Sequence, residues 1–276
     1  MHVSREACFL RECGARVVVS DIPPLAFAAA REANVPSVAF GNFTWDWIYG
    51  GFPSFDRTAP GVRSTIADAN AMATLTLRLP FAGGFDGMRN VEDIPLVARV
   101  ASVAPDDTRR RLRIPSNRPV VLATFGGHGA SIPLARAADT GSFLILATDY
   151  EVRAGTPPHP NIRVVPAREL DASGLTYTDM LAACDVVITK LGYGIVSECL
   201  ANGLALLYTL RDHFVEQEIF MRDMPGMMRS RLIDPDDLRE GRWADDVQAL
   251  LAQPVPATIP AAIGADVAAA RIVALL

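Results

Sequence analysis

Between Asp185 and Phe220 the hydrophobic pattern changes period twice, and no other stretch constrains the fold as tightly. Val186 to Thr189 is an apolar, β-branched run of buried-strand length, Gly192 and Gly194 then break the chain, and from Ile195 the apolar positions take helical spacing. Ala205 to Leu210 supplies a second buried strand. The expected order is strand, glycine turn, helix, strand. In a doubly wound sheet such a turn lies at the carboxyl ends of the strands, where the next helix points free N–H groups outward and favours an anion.

The residues around this turn carry chemistry suited to a phosphorylated sugar. Lys190 precedes the first glycine, Tyr193 and Gly194 offer backbone N–H groups, and Ser197 and Glu198 fall in the first turns of the helix. A carboxylate at Glu198 accepts hydrogen bonds from two neighbouring sugar hydroxyls, so phosphate and ribose share one helix end. The second strand delivers Arg211, Asp212, His213, Glu216 and Gln217 to the same end of the sheet. Neither a GxxxxGK[ST] phosphate loop nor a GxGxxG dinucleotide fingerprint occurs. Two glycines alone fit an ordinary strand-to-helix connection equally well. The polar loop after the next strand tips the reading toward a donor site for a nucleotide sugar.

Composition sets the remaining bounds. With 276 residues, half of them hydrophobic, the chain is long enough for two domains with separate cores. A net charge of −5 argues against a broad nucleic-acid surface, so any anion must be held locally. Arg109, Arg110, Arg111 and Arg113 form the one basic cluster and read as a solvated helix face. Cys8, Cys13, Cys184 and Cys199 lack CxxC spacing, and the four histidines lack metal-ligand spacing, so reduced thiols and no metal site are expected. No signal-peptide core or membrane-spanning run is present in the sequence, which points to a cytoplasmic protein.

Taken in order, the chain alternates strand and helix as a parallel sheet requires. Helices are expected over residues 4–13 and 25–33, and strands over Ala15 to Ser20, Val35 to Phe40 and Ala73 to Leu79. The stretch from Asn42 to Phe52 places Trp45, Trp47 and Tyr49 beside Asn42, Thr44 and Asp46. It fits either a sugar-stacking wall on the acceptor side or a buried aromatic anchor. Pro53 to Pro60 and Phe81 to Asn90 read as loops, Ile94 to Val100 as a strand, and Pro105 to Arg113 as a short charged helix. Val120 to Thr124 is a strand running into Phe125, Gly126, Gly127, His128 and Gly129, a second turn suited to close approach of phosphate or sugar. The expected domains are residues 1–104, a linker at 105–119, and a donor-binding domain at 120–276.

Several of these segments, VVSDIPPLAFAAA, NFTWDWIY, RLPF, EDIPLVAR, TFGGHG and TKLGYGIVSE, resemble in order those of the GT-B glycosyltransferases. The most similar are the glycosyltransferase-like N-terminal region of L-arabinokinases and the peptidoglycan N-acetylglucosaminyltransferases. The resemblance implies an α/β fold of GT-B type, two Rossmann-like doubly wound domains with the first incomplete. It also implies binding of a UDP-sugar, with no other cofactor, and transfer to an unknown acceptor. Gly126, Gly127, His128, Gly129, Lys190, Gly192, Tyr193, Gly194, Ser197, Glu198, Asp212, His213, Glu216 and Gln217 then hold the donor. Asn42, Trp45 and Asp46 face the acceptor, and Asp46 and His128 are the candidates for the base. The family's glycine and histidine motif near the start has no counterpart before Gly41, so a chain that binds a UDP-sugar but is inactive or severely impaired in transfer, and that self-associates through an incomplete first domain, is expected. A sugar-nucleotide 2-epimerase or a catalytically silent nucleotide-sugar binding module are the alternatives.

Overall fold

The computed structural model describes residues 2–125, 133–149, 152, 158–211 and 214–276. It divides into two compact units, one of residues 1–97, 213–220 and 261–276 and one of residues 98–212 and 221–260. The boundaries differ from those read off the sequence. The expected linker belongs to the second unit, and the C-terminal helix and residues 214–220 belong to the first.

The first unit contains α1 (His2–Glu12), β1 (Val18–Ser20), α2 (Pro24–Ala33), β2 (Ser37–Phe43), α3 (Trp45–Gly50), α4 (Phe55–Thr58), α5 (Val62–Asn70), β3 (Leu75–Gly83) and β4 (Val91–Asp93). Its four strands are parallel and lie in sequence order, β1-β2-β3-β4. One core gathers Ile22, Phe27, Ala39 and Phe85, and another gathers Val38, Leu77 and Ile94 with Ala268 of the C-terminal helix. Three expectations are corrected here. The ladder ends at Asp93, so Ile94 to Val100 is not a strand. Pro95 has no N–H to donate to a ladder, which accounts for the stop. The loop expected from Phe81 begins later, because β3 continues through Pro80 to Gly83, and the loop expected at Pro53 to Pro60 contains α4.

The second unit continues with α6 (Pro105–Arg111), β5 (Val120–Ala123), α7 (Leu134–Ala138), β6 (Leu144–Ala147), β7 (Ile162–Val164), α8 (Ala167–Ala172), α9 (Tyr177–Ala182), β8 (Val186–Lys190), α10 (Tyr193–Ala201) and β9 (Ala205–Thr209). After α11 (Gln217–Asp223) come β10 (Ser230–Leu232), α12 (Pro235–Glu240), α13 (Ala244–Leu251) and α14 (Gly264–Val273), the last in the first unit. Every residue of β5, β6 and β9 is buried, as expected of parallel strands covered on both faces. The core on one side is closed by Trp243, whose indole N–H donates to the Leu238 carbonyl at 3.1 Å.

Residues 105–111 are tied into this unit by charge. Arg109 donates to the Ala183 carbonyl at 2.7 Å and pairs with Asp185 at 3.0 Å, and the same Asp185 oxygen accepts the Val120 N–H at 2.7 Å. This arginine is therefore an anchor and not part of a solvated face. The start of α14 makes an equally close contact in the first unit. Its Gly264 N–H donates to the Leu96 carbonyl at 3.0 Å, and a Cβ there would collide with the Pro95 carbonyl oxygen.

The six parallel strands of the second unit run in the order β10-β9-β8-β5-β6-β7. The chain goes outward from β5 through β6 to β7, then returns to place β8 on the other side of β5. Strand order reverses between β5 and β8. A crevice opens at the carboxyl ends of two such strands because their following connections leave in opposite directions.

Candidate functional site

The crevice between the ends of β5 and β8 is a cavity of about 290 Å³. Thr124 and Phe125 end β5 on one side, and Thr189, Lys190 and the turn through Gly192 end β8 on the other. The strand runs into α10 with Gly192 as N-cap, and the first intrahelical bond is from the Val196 N–H to the Gly192 carbonyl at 3.1 Å. The N–H groups of Tyr193, Gly194 and Ile195 therefore have no acceptor within the helix, and the helix dipole adds to the attraction they hold for an anion.

Packing of the described residues does not account for either glycine. Gly192 has φ −176°, which any residue adopts, and among the described residues an added Cβ there would meet only the Arg211 guanidinium at 3.8 Å. At Gly194 an added Cβ would meet no described residue within 4 Å. Glycine in a helix costs about 0.5–1 kcal/mol relative to alanine, so Gly194, in the first turn of α10, is held there at some expense to the helix.

Charge is concentrated in the same cavity. Arg99, Lys190 and Arg211 line it opposite one carboxylate, Glu198, in a chain of net charge −5. Burial and the nearby Arg211 charge lower the Lys190 pKa below its ordinary value, both effects opposing a second positive charge. Glu198 is buried, with 9% of its side chain exposed, and Arg99 holds its Oε1 at 2.5 Å. Tyr177, at the start of α9, donates its hydroxyl to Thr124 Oγ1 at 3.3 Å and completes the wall.

Of the residues predicted from sequence, the fold brings Lys190, Gly192, Gly194 and Glu198 together in the cavity. Tyr193 opens the same helix and Ser197 is buried on it. Gly126, Gly127, His128, Gly129, Asp212 and His213 lie outside the described residues. Glu216 is buried and Gln217 half-buried at the start of α11, where both group with the first unit. On the acceptor side, Asn42 donates to the Pro80 carbonyl at 2.6 Å, and Asp46 accepts from Asn70 at 3.1 Å. Trp45 is 36% exposed and belongs to a chain of rings, edge-on to Phe43 at 5.2 Å and tilted against Tyr49 at 5.6 Å, which in turn stacks on Phe55 at 4.2 Å. Among the described residues no cluster of three or more His, Cys, Asp or Glu side chains is placed to hold a metal ion, and no helix is long and apolar enough to cross a membrane.

Solved structures share this architecture over nearly the whole chain. The spinosyn forosaminyltransferase SpnP is similar with a TM-score of 0.64 at 17% identity, covering 99% of this chain and 79% of that one. The glycosyltransferase VinC in complex with DTDP is similar with a TM-score of 0.60 at 18% identity, covering 98% and 75%. The fold is that of the GT-B glycosyltransferases. At the level of sequence, L-arabinokinase of Arabidopsis thaliana is 31% identical over 241 residues, which is 86% of this chain. The chain spans only 22% of the length of that curated relative. No protein-family model matches the chain.

Within the GT-B fold the cavity contains residues that sequence reading had not assigned. Arg99, Thr124 and Tyr177 come from segments distant in sequence from the glycine turn. Arg99 closes the EDIPLVAR segment, and a cation ending an apolar run was its only signal. Tyr177 follows Thr176, which begins a capping box readable from its spacing to Asp179.

Proposed function

We propose that the chain is a glycosyltransferase-like protein whose second unit binds a UDP-sugar and supports transfer of the sugar to a nucleophilic acceptor. The observation that carries this is the cavity between β5 and β8, where the N-terminus of α10 and the cations Arg99, Lys190 and Arg211 lie next to the buried Glu198 carboxylate. That arrangement suits a diphosphate joined to a ribose.

In such a transfer the bond between the sugar's anomeric carbon and the diphosphate oxygen breaks while the acceptor's oxygen or nitrogen bonds to that carbon. Negative charge gathers on the leaving diphosphate. The N–H groups of Tyr193 and Gly194, together with Lys190, are preorganised to stabilise it, and such donors contribute most where water is excluded. Glu198 would hold the ribose hydroxyls. The acceptor's proton passes to a base. His128 lies outside the described residues and Asp46 already accepts from Asn70, so neither is assigned that role.

A thermal-shift screen of nucleotide sugars, followed by product analysis with the best binder, tests the reading. Stabilisation by UDP-sugars with a new glycoside formed supports transfer, a changed sugar without acceptor indicates an epimerase, and binding without turnover indicates a silent module. Failure of any nucleotide sugar to bind would remove the donor-site assignment itself.

The glycine argument makes a prediction of opposite signs. Gly194→Ala should stabilise the second unit by about 0.5–1 kcal/mol, because alanine suits a helix and the added methyl meets no atom of the described residues. The same methyl should weaken UDP binding by intruding on the phosphate. Chemical denaturation and calorimetry on one preparation measure both. A variant that is more stable and binds UDP unchanged would show that nothing approaches this backbone.

A further inference from the structure

Arg99 has no role in the reading so far, yet the protein takes care to place it. Residues 99–103 form no ladder and are held instead by two side chains. Asn202, at the end of α10, donates from Nδ2 both to the Arg99 carbonyl at 3.1 Å and to the Glu198 carbonyl at 2.8 Å, while its Oδ1 accepts the Ala101 N–H at 2.9 Å. Asp179, on α9, accepts the N–H groups of Ser102 and Val103 at 2.7 and 2.9 Å. One amide thus ties together the backbones of the two residues whose side chains form the ion pair.

The pair is asymmetric. Arg99 is 69% exposed along its side chain, whereas Glu198 is 9% exposed. A solvated arginine gains little from pairing, but a carboxylate taken out of water needs a partner to remain charged and ordered. Arg99 contacts Oε1, and the second oxygen, Oε2, has no hydrogen bond from any described residue although Glu198 lines the cavity. The geometry leaves one fixed acceptor for a ligand.

We propose that Arg99 is a positioning residue, which holds Glu198 through Oε1 so that Oε2 faces the hydroxyls of a nucleotide's ribose and makes the site prefer ribose over deoxyribose. The proposal rests on the donor-site reading above. Asn202 sets the distance between the two residues by bonding both backbones. Without Arg99 the buried carboxylate would turn toward water or other donors, and the cavity would still attract phosphate through Lys190, Arg211 and the α10 N–H groups.

The test is calorimetric titration of UDP, 2′-deoxyUDP and inorganic pyrophosphate into the unaltered protein, Arg99→Met and Arg99→Lys. Loss of one cation weakens both nucleotides alike, so it cancels in their ratio. The unaltered protein should bind UDP roughly tenfold more tightly than 2′-deoxyUDP, the size of one hydrogen bond to a charged group. In Arg99→Met the ratio should fall toward unity while pyrophosphate still binds, and Arg99→Lys should recover part of it. Because Arg99 is largely exposed, the variants should fold, and Asn202→Ala offers an independent route to the same loss of ratio. An unchanged or larger ratio in Arg99→Met would overturn the proposal and leave the donor site standing. Absence of UDP binding by the unaltered protein would overturn both.

Discussion

Asp179→Ala is expected to destabilise the second unit by about 3 kcal/mol and to weaken nucleotide binding at a cavity that Asp179 does not line. This fully buried carboxylate accepts the N–H groups of Thr176, Ser102 and Val103 and the hydroxyls of Thr176 and Ser102. Truncation leaves several of those donors buried and unpaired, at about 1–3 kcal/mol for each one not rehydrated. It also removes half of a capping box at α9, and it frees the segment that carries Arg99. Chemical denaturation should show the stability loss, and UDP titration of the still-folded fraction the binding loss. A variant with unchanged stability would mean that water replaces the carboxylate without cost.

The same residue gives a pH dependence with a definite sign. Burial works to raise the Asp179 pKa, but the hydrogen bonds from Thr176, Val103 and Ser102 outweigh it and hold the carboxyl well below the usual range. A depressed folded pKa contributes stability that is fully present above the unfolded value, near 3.9, and is lost as pH falls through the folded one. Asp179→Asn should therefore lose stability at neutral pH and show a smaller further loss in acid than the unaltered protein.

Lys190→Ala should weaken UDP binding roughly tenfold or more, the contribution of one hydrogen bond to a charged group. Among the described residues its ammonium has no ion pair or hydrogen bond, so removal leaves no protein group stranded. Its pKa is lowered by burial and by Arg211, and a bound diphosphate raises it again. The affinity of the unaltered protein should hold through neutral pH and decline as pH rises through the lowered Lys190 pKa, with proton uptake on binding in that window. Salt should weaken binding as well, because part of the attraction is screened. Lys190→Ala binding that keeps the alkaline decline would assign it to another group.

How much of this was legible in the sequence follows from where each signal lies. Strands β5, β6, β8 and β9 announce themselves as uninterrupted apolar runs, since both of their faces are covered. Gly192, Gly194, Lys190 and Glu198 were readable because the glycine turn follows one buried strand and a polar loop follows the next, so both fall at the same end of a parallel sheet. Arg99 and Tyr177 were not, because they reach the cavity only through the crossing of segments remote in sequence. Ile94 to Val100 has the composition of a strand, but Pro95 interrupts its ladder and side chains from α9 and α10 take over its end. Arg109 looked like one of four solvated arginines, and only its contact with Asp185 separates it from them. Glu216 and Gln217 were expected beside the glycine turn because they follow the next strand, yet their contacts place them with the first unit.

The most direct test of the donor-site account is a crystal structure of this chain with UDP bound. The account predicts diphosphate oxygens within hydrogen-bonding distance of the Tyr193 and Gly194 N–H groups, Lys190 beside them, and the ribose hydroxyls on Glu198. A nucleotide seated with its diphosphate away from the N-terminus of α10 would contradict it.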